Sequence, residues 1–161
     1  MYAEPVNSVR PYRDGDAPAL AAVFERAVRG IASRDYAPAQ IEAWIGREPR
    51  EARFRDKMAD GRRCWVTVDA TDRVTAFADL EPDGHIDFLF ADPDVAGQGV
   101  TTVLLEVLEQ AARASGLSRL YVEASEPAKR FFVKRGYTVV ERRDFEIGGV
   151  PIHNYAMERL F

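Results

Sequence analysis

The chain has 161 residues and a mass of 18.1 kDa, the length of one domain. Apolar residues make up 47% and charged residues 30%, which excludes a disordered tail, a collagen-like fibre and a simple coiled coil. Against 22 lysines and arginines stand 26 acidic side chains; the net charge of −4 speaks against non-specific nucleic-acid binding and leaves a cationic or amine ligand electrostatically welcome.

Residues 1–7 read as a loose leader. Residues 8–13 suit a short strand, and 14–16 offer helix caps. Leu20, Phe24, Ala27, Val28 and Ile31 recur at helical spacing, which predicts an amphipathic helix ending near Gly30. Residues 38–44 read as a second, short helix broken by Gly46 and Pro49, and residues 52–58 as one or two further helical turns. The period then changes to two. Residues 63–69 and 74–80 read as antiparallel strands around a turn at Thr71-Asp72-Arg73, and Pro82-Asp83-Gly84 is a second turn. Residues 85–91 form the next predicted strand, with Ile86, Phe88 and Phe90 on one face and His85, Asp87 and Leu89 on the other. Asp92-Pro93-Asp94 stops it. Val100, Val103, Leu104, Val107, Leu108, Ala111 and Ala112 then trace a helical stripe closed by Gly116. Residues 120–124 read as a strand. Ser125-Glu126-Pro127 opens a helix through Arg135, stopped by Gly136, and residues 137–147 and 150–159 read as a hairpin joined at Gly148-Gly149. A meander running into a β-α-β unit and then a hairpin predicts a mixed α/β sheet covered by helices.

Cys64 is the only cysteine, so no intramolecular disulfide is available and a cysteine-based metal site lacks partners. Inside a strand-like run it reads as a small buried hydrophobe, with a nucleophile as the other reading. No metal is expected. No apolar stretch approaches the ~20 residues that span a bilayer, and no basic segment followed by an apolar run opens the chain, so the expectation is a cytoplasmic protein without a membrane partner.

The loop Ala96-Gly97-Gln98-Gly99-Val100-Thr101-Thr102 joins a strand to a long helix. Unpaired N–H groups at such a helix start, with the helix dipole behind them, suit a phosphate or pyrophosphate, and glycine lets the backbone approach it. A helix entry that merely needs two flexible residues is an equal reading of the loop alone. A Walker loop is excluded because no lysine follows Gly99, and a dinucleotide fingerprint fails because its third glycine is Thr102.

Taken with the preceding Leu89-Phe90-Ala91-Asp92-Pro93 and the later Ala128-Lys129-Arg130-Phe131-Phe132-Val133-Lys134-Arg135-Gly136-Tyr137, the loop resembles the paired motifs of the GCN5-related N-acetyltransferases, along nearly the whole chain. Gly84-His85-Ile86-Asp87 and Asn154-Tyr155-Ala156-Met157-Glu158 are similar to a bacterial subgroup, the YafP-like proteins. The resemblance implies the acyl-CoA N-acyltransferase fold over residues 1–161 as one domain: a mixed α/β, largely antiparallel sheet with a central splayed parallel pair and helices on both faces. It implies acetyl-CoA as cosubstrate, no metal, and direct transfer of the acetyl group to a primary amine of a small molecule. A peptide or protein amine is the alternative acceptor, a non-catalytic acetyl-CoA sensor is the alternative function, and pairing into a homodimer is compatible with the family. Three positions depart from the family pattern. Ala96 stands where arginine or glutamine is usual, Thr101 where a small residue is usual, and Phe132 where many relatives carry a tyrosine that protonates the departing thiolate.

The residues that the resemblance assigns to the cofactor are Leu89, Phe90 and Ala91 at the strand end, Ala96, Gly97, Gln98, Gly99, Val100, Thr101 and Thr102 in the loop, and Ser125, Phe132 and Arg135 beyond. Backbone N–H groups around Phe90 and Ala91 are expected to hold the acetyl and pantetheine parts, in a gap between that strand and the one starting at Leu120. Ser125 reads equally as a helix N-cap, and Arg135, with Lys134, either reaches the cofactor's 3′-phosphate or caps its helix. Asp87, desolvated in mid-strand with a raised pKa, is a candidate base or amine binder, or else a carboxylate paired with a nearby arginine. Glu123 is a candidate base or substrate anchor. Tyr155 either replaces the missing acid or packs. His85 reads as a structural histidine beside the Gly84 turn, and Tyr36 and Trp44 either line the acceptor site or pack.

Overall fold

The computed structural model describes residues 7–47 and 50–161. The predicted leader lies outside the described residues except for Asn7, whose side-chain oxygen accepts a hydrogen bond from Thr75 Oγ1. The strands are β1 (Ser8–Pro11), β2 (Arg63–Val68), β3 (Val74–Leu80), β4 (His85–Ile86), β5 (Leu89–Ala91), β6 (Arg119–Ala124), β7 (Thr138–Ile147) and β8 (Val150–Leu160). The helices are α1 (Ala17–Gly30), α2 (Pro38–Ile45), α3 (Arg50–Met58), α4 (Val100–Ala114) and α5 (Glu126–Val133). The residues expected to add one or two helical turns form the nine-residue α3, and α5 ends two residues before Arg135.

The strands form two four-stranded sheets, ordered β1-β2-β3-β5 and β4-β6-β8-β7. All pairings are antiparallel except β4 with β6, where His85 faces Tyr121 and Ile86 faces Val122. β3 is buried along its whole length because helices cover both of its faces. Ala76, Ala78 and Leu80 meet Leu104 and Leu108 of α4, while Val74 and Phe77 meet Leu20 and Phe24 of α1 and Phe54 of α3. The mixed, largely antiparallel architecture is the one the sequence pattern predicts.

One predicted strand is broken. Residues 85–91 do not run as a single strand: β4 joins one sheet and β5 the other. On β3 the step from Asp79 to Glu81 is two residues, yet their backbone partners, Phe88 and His85, are three apart. This is a β-bulge, one extra residue on the second strand. It reverses the alternation of side chains, so Ile86 packs with the α4 side of the core whereas Phe88 lies against α3 and Phe90 against α1. The expected common face of Ile86, Phe88 and Phe90 is thereby corrected. The irregular peptides still need acceptors. Asp79, fully buried, supplies one: its Oδ1 accepts from the N–H groups of Asp87 at 3.0 Å and Phe88 at 2.7 Å.

Gly84 fixes the other side of the break. Its carbonyl accepts from Tyr121 N–H at 3.1 Å, and its φ is +99°. A Cβ there would stand 2.3 Å from the carbonyl oxygen of Arg119, so only glycine lets β4 start this close to β6.

Candidate active site

The two sheets part where β5 leaves β6, and the gap exposes a specific backbone edge. Asp92 N–H donates to Thr75 and Asp79 N–H to Phe88, so the hydrogen-bonded pairs of β3 and β5 are 75/92, 77/90 and 79/88. By alternation the N–H and C=O groups of Phe90 are used by β3. Those of Leu89 and Ala91 point away from it, toward the gap. The expectation that N–H groups around Phe90 and Ala91 face the thioester is therefore shifted by one residue on one side: Leu89 and Ala91 present the free edge, and Phe90 does not.

At the far end of β5 the chain is anchored before it enters the loop. Buried Asp92 accepts from Asp94 N–H at 2.9 Å and pairs with Arg26 at 2.7 Å and Arg73 at 2.9 Å. Burial works against its charge, but these partners outweigh that and hold its pKa below the ordinary carboxylate value. The next residues make a 3-10 turn, Pro93–Val95. Gly97 and Gly99 both take left-handed φ, +79° and +78°, with nothing within 4 Å of where a Cβ would stand. Among the described residues the N–H groups of Gly97, Gly99, Val100, Thr101 and Thr102 have no acceptor. A concave run of free N–H groups at the start of the 15-residue α4 suits a pyrophosphate. Arg135 reaches the same end of the helix. Its guanidinium donates to Thr102 Oγ1 and to the Phe131 carbonyl, lies 3.7 Å above the Phe131 ring, and keeps a buried Nε without a partner.

The gap opens into a cavity of about 340 Å³. Phe24, Tyr36, Trp44 and Phe90 give it an aromatic wall; Leu89, Ser125 and Phe132 lie where the two strands part. Asp87, Glu123, His85 and His153 also line it, so the structure brings two of the three predicted catalytic residues together. Tyr155 is not on the wall. Its hydroxyl donates to Glu126 Oε1 at 2.7 Å, and Lys129 sits over its ring. Ser125 is the N-cap of α5, accepting from Ala128 N–H, and it also lines the cavity. Phe132 is fully buried.

Asp87 is paired with an arginine, as its second reading expected, and the partners of the other charges are ones the sequence pattern did not reveal. Burial favours a neutral Asp87, but Arg62 at 2.9 Å and Lys57 at 3.0 Å outweigh it, and the pKa falls below the ordinary value. The expectation of a raised pKa is corrected: the cations arrive from α3 and from the residue before β2. Arg62, only 5% exposed, also pairs with Asp79 at 2.6 Å, Asp60 at 2.8 Å and Glu81 at 3.2 Å. His85 is more than a turn residue. Burial disfavours its charge, yet Glu123 at 2.5 Å and Glu81 at 3.2 Å lift its pKa to about 9. The same contact lowers the pKa of Glu123. Asp79, Glu81 and Asp87 are close enough to hold a metal, but Arg62 already occupies that space as the counter-ion. Cys64 is buried, and burial pushes its thiol pKa up, which leaves it inert. Sequence reading missed Arg62, Asp79, Glu126 and His153. An aspartate in β3, a strand otherwise apolar apart from Thr75, was the available signal for one of them.

Residues 32–159 match a family model described as an acetyltransferase (GNAT) domain. The chain is 35% identical over 149 residues to the uncharacterized N-acetyltransferase YafP of Escherichia coli strain K12, covering 92% of this chain and 93% of that protein. It is 36% identical to the peptidyl-lysine N-acetyltransferase YjaB of Salmonella typhimurium over 87 residues, 54% of this chain and 58% of YjaB. Among solved structures, a GCN5-related N-acetyltransferase from Rhodopseudomonas palustris superposes with a TM-score of 0.89 at 33% identity over 100% of both chains. The PaiA N-acetyltransferase of Thermoplasma acidophilum, in complex with coenzyme A, superposes with a TM-score of 0.78 at 16% identity, covering 97% of this chain and 99% of that one, a likeness of fold. The chain belongs to the GCN5-related N-acetyltransferase family and is an N-acetyltransferase. Among the described residues no helix is long and apolar enough to cross a membrane.

Proposed function

We propose that this chain, acting as one domain, transfers an acetyl group from acetyl-CoA to a primary amine of a small molecule. The observation that carries the proposal is the splay itself. One strand edge, Leu89 and Ala91, is left unpaired between a cradle of free N–H groups at α4 and an aromatic cavity. The pyrophosphate would lie on Gly97 to Thr102, with Arg135 and Thr102 beside it. Ala96 removes a side chain there but leaves the backbone donors intact. The pantetheine arm would take the place of a strand beside Leu89 and Ala91, with Phe132 as an apolar floor. The bound thioester supplies the activated acetyl group. N–H groups of the free edge stabilise charge that develops on its carbonyl oxygen.

Asp87 and Glu123 act in this reading as acceptor-binding carboxylates. Their lowered pKa values make them poor bases but keep them ionised. A cavity of about 340 Å³ with aromatic walls suits a small amine better than an extended polypeptide. YjaB acts on peptidyl lysine, and it matches only about half of this chain. Isothermal titration with acetyl-CoA, CoA and NAD tests the first half of the proposal: binding selective for the two CoA forms is expected, and Gly99→Trp should abolish it. Thiol release across a panel of small amines and lysine peptides tests the second. Selective binding without turnover of any amine would leave a sensor instead of an enzyme.

A further inference from the structure

Acetyl transfer to an amine needs a group that accepts a proton from nitrogen and one that returns a proton to sulfur. Phe132 can do neither. Asp87 is held between two cations, and Glu123 is closed on His85. On the same cavity wall, carried by β8, stands His153. Its Nε2 lies 2.6 Å from Glu126 Oε1, in the first turn of α5. The backbone holds both partners in place. Tyr36 Oη donates to the His153 carbonyl at 2.9 Å and accepts from Glu126 N–H at 3.1 Å. The imidazole sits between the rings of Tyr36 and Tyr155, at centroid distances of 5.4 and 5.7 Å. A carboxylate at Nε2 keeps the proton of a neutral imidazole on that nitrogen and leaves a lone pair on Nδ1. Among the described residues, Nδ1 has no hydrogen-bond partner.

We propose that His153 carries the proton in the transfer and that Glu126 is its positioning residue. The proposal rests on the acetyl-CoA reading above. The ammonium acceptor first gives one proton to solvent; as the carbon–nitrogen bond forms from the neutral amine, a second N–H proton passes to Nδ1. As the carbon–sulfur bond breaks, its electron pair leaves on sulfur, and sulfur takes that proton back from Nδ1. No proton is left on the protein after one cycle, so one imidazole fills both roles that the family pattern gives to separate side chains. The groups that face His153 are Glu126 from α5, Tyr36 from the segment before α2, Tyr155 on its own strand, and Asp144 opposite it on β7.

The chain has two histidines, His85 and His153, so a ¹⁵N spectrum of the imidazoles contains two ring systems that single substitutions assign. The neutral His153 ring is expected to carry its proton on Nε2, and Glu126→Gln to shift it toward a mixture of tautomers. A ring protonated on Nδ1 overturns the proposal, whatever the activity. In thiol-release assays His153→Gln should lower kcat by roughly 10²-fold or more while the KM for acetyl-CoA changes little. Added imidazole should restore part of the rate to His153→Gly and none to His85→Gln. A kcat within about threefold of wild type in His153→Gln, in protein that titrates normally with acetyl-CoA, also overturns the proposal. Failure of the wild type to bind acetyl-CoA refutes the reading beneath it and is recognised separately, because binding is measured without turnover.

Discussion

Replacing Asp79 by leucine removes the acceptor on which the strand break depends. The carboxylate is fully buried, its Oδ1 takes two backbone N–H groups at 3.0 and 2.7 Å, and its Oδ2 takes Arg62 at 2.6 Å. Leucine keeps the branched shape and leaves no cavity, but its methyl groups are bulkier than the oxygens they replace, so some packing strain adds to the polar loss. Two buried donors without acceptors cost about 1–3 kcal/mol each. Arg62 keeps Asp60, Glu81 and Asp87, so its charge is not orphaned. The sum is about 4 kcal/mol, or a fall in Tm of roughly 8–16 °C for a domain of this length. Asparagine retains an oxygen for both N–H groups and loses only the charged bond, about 2 kcal/mol. Urea unfolding of the two variants gives the comparison, and titration with acetyl-CoA below the transition reads the effect on the β5 edge. Equal losses in the leucine and asparagine variants, or a leucine loss below about 1 kcal/mol, would refute the claim that Asp79 holds the bulge by accepting from its amides.

Gly84→Ala should cost about 3 kcal/mol in thermal unfolding, since its Cβ meets a backbone carbonyl at 2.3 Å, whereas Gly97→Ala, in open space, should cost only about 1 kcal/mol for its left-handed φ and weaken CoA binding instead. The folded pKa of His85, about 9, lies above the ordinary 6.5, so its contribution to stability is complete below pH 6.5 and is lost as the pH rises through 9. The fall in the urea midpoint between about pH 7 and about pH 10 should accordingly be steeper in the wild type than in His85→Gln, and identical slopes would remove the role given to its two glutamates. Arg135→Gln should weaken CoA about tenfold, the value of one charge-assisted hydrogen bond, with a loss of about 1 kcal/mol in unfolding from its bonds to Thr102 and the Phe131 carbonyl; an unaltered Kd would detach Arg135 from the cofactor site.

α4 and its loop were legible because their information is local. A seven-residue apolar stripe and two glycines sit within one stretch of chain, and nothing distant alters them. The break at Asp87 was illegible for the opposite reason. Ile86, Phe88 and Phe90 alternate as a regular strand would, and the bulge is imposed by Asp79, eight and nine residues upstream of the amides it binds. The charge state of Asp87 depends on Lys57 and Arg62, 30 and 25 residues away, and neither forms a motif with it. The contact between Tyr36 and His153 spans 117 residues. Desolvation of Asp87 was read correctly as a force; the cations that overcome it belong to the tertiary structure.

The bulge also decides which atoms the gap offers. In a strand, successive backbone groups point to opposite edges, so a shift of one residue exchanges the whole set. With the extra residue placed before β5, Phe90 is spent on β3, and the edge at Leu89 and Ala91 stays free. Without it, β5 would continue the register of β4, and the same residues would present Phe90 to the gap and send Leu89 and Ala91 to β3. The same shift would turn Phe88 away from Phe54 of α3 and Phe90 away from Phe24 of α1, against which they now pack. The aromatic wall of the cavity and the free donors of the gap are thus two consequences of one inserted residue. Asp79, buried in a strand that is otherwise apolar apart from Thr75, stabilises both at once.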